Sequence, residues 1–278
     1  MWSLDAIADA AADALRVRDG ALREEHAVYG LDAWQEVAFH PIIAEGLAGA
    51  GFGVLREQPF PHEWFRKLRP DKKSAGLALP QARDRQRCDL VLTPEPNQRV
   101  DDSLGNERQR RIDEDELQGT LFEQLSSSHL APGSAGSATA AGEGHEQGCG
   151  GEGGGGLAHA PPKISPESCF YLEIKLCGQH TNTSGIPGPN RTYTGDLTRA
   201  PLADLKKLAE DHRVHHAGVL LIVFTESEQV AKHDISILAH RVLDRNWPIS
   251  SPTLRSFAIP DRMGNTVCTV CVVGMRKS

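Results

Sequence analysis

The chain has 278 residues, enough to bury a sizeable core, yet only 39% of them are hydrophobic and 5% aromatic, so part of it is expected to lie outside any core. Its formal net charge of −7 argues at first against a nucleic-acid partner, and with no apolar run of about 18 residues no membrane span is expected. The N-terminal stretch carries Asp5, Asp9 and Asp13 without a basic region, so it does not read as a secretory signal, and six scattered cysteines do not form a disulfide framework. A cytoplasmic, reduced protein is the expectation.

In chain order, Leu4, Ile7, Ala11 and Leu15 recur at helical spacing behind a Ser3 cap, which predicts a first amphipathic helix. A second helical region is expected from Asp32 to Ala48, with Pro41 kinking or splitting it. Val54 to Glu57 is a short strand signal closed by Pro59 and Pro61, and Arg87 to Thr93 is the next, ended by Pro94 and Pro96. The following strand signal, Cys169 to Cys177, lies about 75 residues further on, far beyond an ordinary loop.

Residues 95–163 are therefore read as an insertion, with a charged and helix-compatible part from Glu107 to Leu125. A Gly/Ser/Ala tract from Ser126 to Ala160 then cannot offset its ordering entropy and is expected to be disordered. The same interval holds 12 acidic against 5 basic residues, the whole of the −7, so the remainder of the chain is neutral. An acidic insertion of this kind can hold a protein partner.

Gly178 to Thr194 reads as a second flexible loop, followed by a helix opening at Pro201 and running to about His212. Val219 to Phe224 is a continuous apolar run, as in a strand buried on both faces. A helix from Glu228 to Asn246 and strands near Thr253 to Ile259 and Thr266 to Val273 complete the chain. The order α-β-β-β-α-β-α-β-β, with a crossover helix between strands, predicts a single three-layer α/β/α sandwich with a mixed sheet, behind a helical N-terminal extension.

The residues that carry chemistry follow from strand alternation. On Cys169 to Cys177, Leu172, Ile174 and Leu176 share one face and Glu173 and Lys175 the other; on the preceding strand Asp89 opposes Leu90 and Leu92. Paired strands would bring Asp89, Glu173 and Lys175 together. Two carboxylates beside a lysine suit Mg²⁺-dependent hydrolysis of a phosphodiester: the oxygens hold a hard cation, and the lysine orients water or offsets developing charge.

The arrangement of a helix, a strand with Asp89, a strand with Glu173-Ile174-Lys175, a helix and an apolar strand resembles the PD-(D/E)xK, or restriction-endonuclease-like, nuclease superfamily over Asp32 to Phe224 without the insertion. Cys88 stands where many members have proline, and the long insertion is a second departure. The resemblance implies Mg²⁺, with Mn²⁺ as substitute, held by Asp89 and Glu173, with Lys175 at the water. It also implies a glutamate from the first core helix at Glu36 rather than Glu45, and a polar residue from the second core helix at Lys206 or Lys207. The implied substrate is nucleic acid, with DNA foremost, and a homodimer is compatible with it. The alternative is a catalytically silent module of the same fold that binds a protein or nucleic-acid partner.

Other constellations carry less. Cys268 and Cys271 have zinc-type spacing, but three residues apart on a strand they face opposite ways. The glycine tract lacks the pattern of a phosphate-cradling loop. His212, His215 and His216 read first as complementing a helix end, with His215 and His216 as a weaker alternative for a metal or phosphate contact. His40, four residues after Glu36, can share its helix face and face the same patch, but reads first as a packed or solvated histidine. Arg83, Arg85 and Arg87, like Arg191 and Arg199, suit phosphate-backbone contacts and a solvated edge equally.

Overall fold

The computed structural model describes residues 2–61, 87–101, 161–183 and 185–276. The chain divides into two units: Met1–Asp101 with Pro161–Ser278, and Asp102–Ala160. The second unit lies outside the described residues, as do the sequence readings made on it and on Arg83 and Arg85. Residues 95–101 and 161–163 belong to the first unit, so the interrupting segment is narrower than the composition suggested.

Six strands form one mixed sheet: β1 (Gly53–Pro59), β2 (Arg87–Thr93), β5 (Phe170–Gly178), β8 (His216–Thr225), β10 (Val267–Arg276) and β9 (Thr253–Ala258), side by side in that order. All neighbours are antiparallel except β5 and β8, which run parallel and are joined through helix α3 (Tyr193–Glu210). Helices α1 (Leu4–Glu24) and α2 (Phe39–Gly49) cover one face, packing Ile7, Leu15, Phe39 and Ile43 on Leu90, Leu172, Ile174 and Leu220. Helices α3 and α4 (Glu228–Leu243) cover the other, with Leu205, Leu208 and Ile235 on Tyr171, Val219 and Leu221. Every central strand is thus buried on both sides, which explains the unbroken apolar run in β8. No described helix is long and apolar enough to cross a membrane.

Ser3 caps α1 by accepting a hydrogen bond from the Ala6 N–H, as its position predicted, and the helix continues two turns past Leu15. It meets α2 at Gly46, where a Cβ would lie 2.5 Å from the Ala14 Cβ and 2.9 Å from the Ala10 carbonyl oxygen. Gly46→Val is expected to destabilise the protein by about 1–3 kcal/mol by prising the helices apart. Gly20→Ala, in a part of α1 with open space around it, is expected to stabilise by about 0.5–1 kcal/mol. Urea midpoints that moved together in the two variants would contradict this account of the crossing.

Four expectations need correction. The helix foreseen over Asp32 to Ala48 is instead a 3₁₀ turn (Leu31–Ala33), an extended pair Trp34 and Gln35, a second 3₁₀ turn (Glu36–Ala38) and then α2. Pro41 sits in the first turn of α2, where its missing N–H has no helical partner to lose, so the break falls before it. Pro201 does not open α3 but lies inside it. The true start is fixed upstream, where the Asn190 side chain accepts from the Thr192 N–H at 2.9 Å and donates to the Gly178 carbonyl at 3.0 Å.

The supposed loop from Gly178 to Thr194 contains a two-stranded ribbon, β6 (His180–Thr183) with β7 (Ile186–Pro189), turned at Gly185 with φ +86°. A two-stranded ribbon tolerates Pro187 and Pro189 because each strand has a free edge. Finally, α3 ends at Glu210, so His212 and His215 follow it and His216 opens β8. Cys268 and Cys271 do face opposite cores, and the five described cysteines are buried and not disulfide-bonded.

A short parallel pair, β3 (Arg99–Val100) with β4 (Lys163–Ile164), joins the chain on either side of residues 102–160. The Asp101 N–H donates to the Ile164 carbonyl at 2.8 Å, and Lys163 pairs with the Asp101 carboxylate.

Candidate functional site

The site lies where the β2–β5 ladder stops. Leu92 pairs with Phe170, Val91 with Tyr171 and Leu90 with Leu172, and the register ends there. Continuing it would pair Asp89 with Glu173. Instead the Asp89 carboxylate accepts the Ile174 N–H at 2.8 Å, so a side chain replaces a ladder bond and the strands part. On the other side of β2, Arg56 pairs with Leu90 and Gln58 with Cys88, while Glu57, opposite Asp89, has φ +53°. A left-handed non-glycine residue in a strand stores about 1–2 kcal/mol of strain. Both neighbours of β2 are therefore distorted at the level of Asp89.

Besides β2 and β5 themselves, two elements supply side chains to this opening. Glu36, in the second 3₁₀ turn, accepts from the Leu176 N–H at 3.2 Å and from Lys175 Nζ at 3.0 Å. From α3, Asp204 lies 3.3 Å from Lys175 Nζ and 3.4 Å from Lys207 Nζ, and Lys207 reaches Glu173 at 2.6 Å. The result is an alternating chain of charge: Glu36, Lys175, Asp204, Lys207, Glu173. Lys207 also lies over the Phe60 ring, 4.7 Å from its centre, a further favourable contact for a cation. With Asp89 there are four carboxylates against two ammonium groups, an excess of negative charge once all are ionised.

The electrostatics follow from burial and these partners. Glu173 is 2% exposed; burial, and then the nearby Asp89 charge, hold its carboxyl above the ordinary range despite Lys207. Burial alone would lower the lysines, but Asp204 and Glu36 hold Lys175 above the usual lysine value, and Glu173 does the same for Lys207. Lys175 is thus a fixed ammonium ion that also donates to the Ile174 carbonyl at 2.8 Å. It can orient or neutralise an oxygen but is not a proton acceptor.

Among the described residues, Glu36, His40 and Asp89 form a group whose ligand atoms all lie within 4.8 Å of one another. His40, in the first turn of α2, is buried at 5% exposure, and neither ring nitrogen has a hydrogen-bond partner. Glu173 stands outside this group, on Lys207. The sequence reading had one ion shared by Asp89 and Glu173; the structure gathers Asp89 with Glu36 and His40, and keeps Glu173 beside them.

Glu36 rather than the exposed Glu45 reaches Lys175, and Lys207 rather than the exposed Lys206 reaches the carboxylates. Asp204 was missed altogether. Its only trace in the sequence is its position beside Leu205, three residues before Lys207, at the edge of the inward stripe of Leu202, Leu205 and Leu208. Arg87 donates to the Glu57 carbonyl at 3.2 Å, and Arg191 and Arg199 are exposed. No family model, no curated protein and no solved structure matches this chain.

Proposed function

We propose that this protein hydrolyses phosphodiester bonds of nucleic acid, DNA foremost, with a divalent metal ion, on a restriction-endonuclease-like arrangement of strands and helices. The observation that carries the reading is the parting of β2 and β5 at Asp89, with Glu173, Lys175 and Glu36 gathered at the opening. The donors suit a hard divalent cation: carboxylate oxygens on three separate elements and an excess of negative charge. Asp89 and Glu36 would hold the ion, with Glu173 next to them. Such an ion supplies Lewis-acid polarisation of the phosphate and a more acidic bound water.

The chain's own residues do the rest. Asp89 is fixed by the Ile174 N–H, leaving its other oxygen to the opening. Glu36 is fixed by the Leu176 N–H and by Lys175. Lys175, held between Glu36 and Asp204, presents a permanent positive charge to a phosphate oxygen or to the attacking water.

One observation favours a second reading, in which the module binds a partner without catalysis: Glu173 is ion-paired to Lys207 rather than grouped with Asp89. The full chain incubated with plasmid, single-stranded and duplex substrates in Mg²⁺ or Mn²⁺ decides between the two. Cleavage that is stopped by chelation and reduced about 10²-fold in Lys175→Met is expected. Intact substrates under all these conditions would overturn the proposal in favour of the silent module.

A further inference from the structure

Resting on the reading of this opening as a metal site, we infer that His40 is a direct ligand and that the site selects a first-row transition ion of the Mn²⁺ type over Mg²⁺. The i, i+4 spacing allowed His40 to face the same patch as Glu36; the folded chain brings its imidazole beside the oxygen donors. The 3₁₀ turn carrying Glu36 runs directly into α2 at Phe39, with right-handed helical backbone at Ala38 and Phe39, so Glu36 and His40, four residues apart, lie together beside Asp89.

Two observations point independently to a ligand. The first is convergence: one atom each from Glu36, His40 and Asp89 lies within 4.8 Å of the others, contributed by a 3₁₀ turn, a helix and a strand. The second is the state of His40 itself, 5% exposed with both ring nitrogens unpartnered among the described residues. A buried imidazole without hydrogen bonds forfeits its hydration and gains nothing for it, a cost that a coordinate bond removes. Packing does not explain the choice of residue: the neighbouring inward positions of the helix are Phe39, Ile43, Ala44 and Leu47, and a leucine would serve there as well.

The selectivity follows from the donors. Mg²⁺ demands an oxygen shell and sheds its water reluctantly. Imidazole suits the later first-row ions best; Mn²⁺, the weakest of that series and itself at home among carboxylates, still accepts a nitrogen donor more readily than Mg²⁺, so one nitrogen with two carboxylates tilts the site away from Mg²⁺. The carboxylates also have capacity left. Asp89 Oδ2 is engaged by one N–H, while each oxygen of Glu36 accepts from a single donor and keeps its second lone pair open.

The test uses the full chain, with Mn²⁺ and Mg²⁺ as probes. Calorimetric titration is expected to show Mn²⁺ binding at least tenfold tighter than Mg²⁺. Electron spin-echo measurements on the Mn²⁺-loaded protein should show modulation from one directly bound ¹⁴N. Both features are expected to disappear in His40→Gln, which keeps a polar side chain of similar size. Glu36→Gln, on a half-exposed turn, should weaken Mn²⁺ while retaining the nitrogen signal in whatever complex remains.

Equal affinities, absence of Mn²⁺ binding, an Mn²⁺ complex without nitrogen coupling, or coupling that survives in His40→Gln would each overturn the inference. Should His40→Gln not fold, the wild-type nitrogen signal and the Mn²⁺ to Mg²⁺ ratio still decide it. The outcome is separable from the hydrolytic reading. A protein that binds Mn²⁺ through His40 and cleaves nothing keeps this inference and loses that one; a Mg²⁺-supported nuclease with no nitrogen coupling does the reverse.

Discussion

Asp89→Asn is expected to lower metal-dependent cleavage by about 10²–10³-fold while leaving the protein folded. The asparagine carbonyl can still accept the Ile174 N–H that Asp89 Oδ2 accepts at 2.8 Å, so the parting of β2 and β5 is preserved. What disappears is one negative charge at the point where Glu36 and His40 converge. Asp89→Ala differs, because it also leaves a partly buried backbone donor unsatisfied, at a cost of about 1–3 kcal/mol. Cleavage rates combined with thermal melts of both variants separate the two roles. If Asn proves as destabilising as Ala, the side chain matters chiefly to the fold; if Asn retains full cleavage, Asp89 does not serve the chemistry.

Glu173→Gln should lower cleavage to a similar degree and, in metal-free protein, make stability less sensitive to pH. Burial and the Asp89 charge raise the Glu173 carboxyl above its ordinary value. Between about 4.3, the unfolded value, and that raised value, the folded chain keeps a proton that the unfolded chain has released. Stability therefore falls as pH rises through this window, by up to about 1.4 kcal/mol per unit, and is fully retained below it. Gln cannot titrate, so the variant lacks that slope and gains on the wild type toward alkaline pH. Lys207 loses its 2.6 Å partner but keeps Asp204 at 3.4 Å, which reduces the gain without reversing it. Melting curves in a chelator from pH 4.5 to 9 test this; parallel profiles for the two proteins would remove Glu173 as the group responsible.

The same buried carboxylate explains what the sequence could and could not disclose. Asp89, Glu173 and Lys175 were legible because strands alternate with a period of two, so an acid and a lysine two apart among Leu172, Ile174 and Leu176 must share a face. The bounds of β2 were legible as well, since Pro94 cannot continue a central strand. Helices hide their contributions better. Asp204 meets Lys175 only because α3 crosses the sheet at a particular place, and no local pattern distinguishes an aspartate that meets Lys175 from one that meets water; His40 had its i, i+4 spacing to Glu36 as a local sign.

Proline and glycine misled in two places for a shared reason: they record what a backbone tolerates, not what it does. Pro201 is accommodated inside α3 because Asn190 had already set the helix start, and Pro187 and Pro189 sit in a ribbon strand with an edge to spare. The break before α2 was read at Pro41 but falls at Trp34 and Gln35, so Glu36 and His40 both lie on the helical side of it.

The small β3–β4 pair bears on how the chain can carry residues 102–160 between its two central strands at all. Because Asp101 and Ile164 are already hydrogen-bonded neighbours, the intervening segment has to close a loop but not span a distance. The two ends of that segment therefore meet at one place in the fold, and the long spacing of Asp89 from Glu173 along the chain does not keep their strands from pairing.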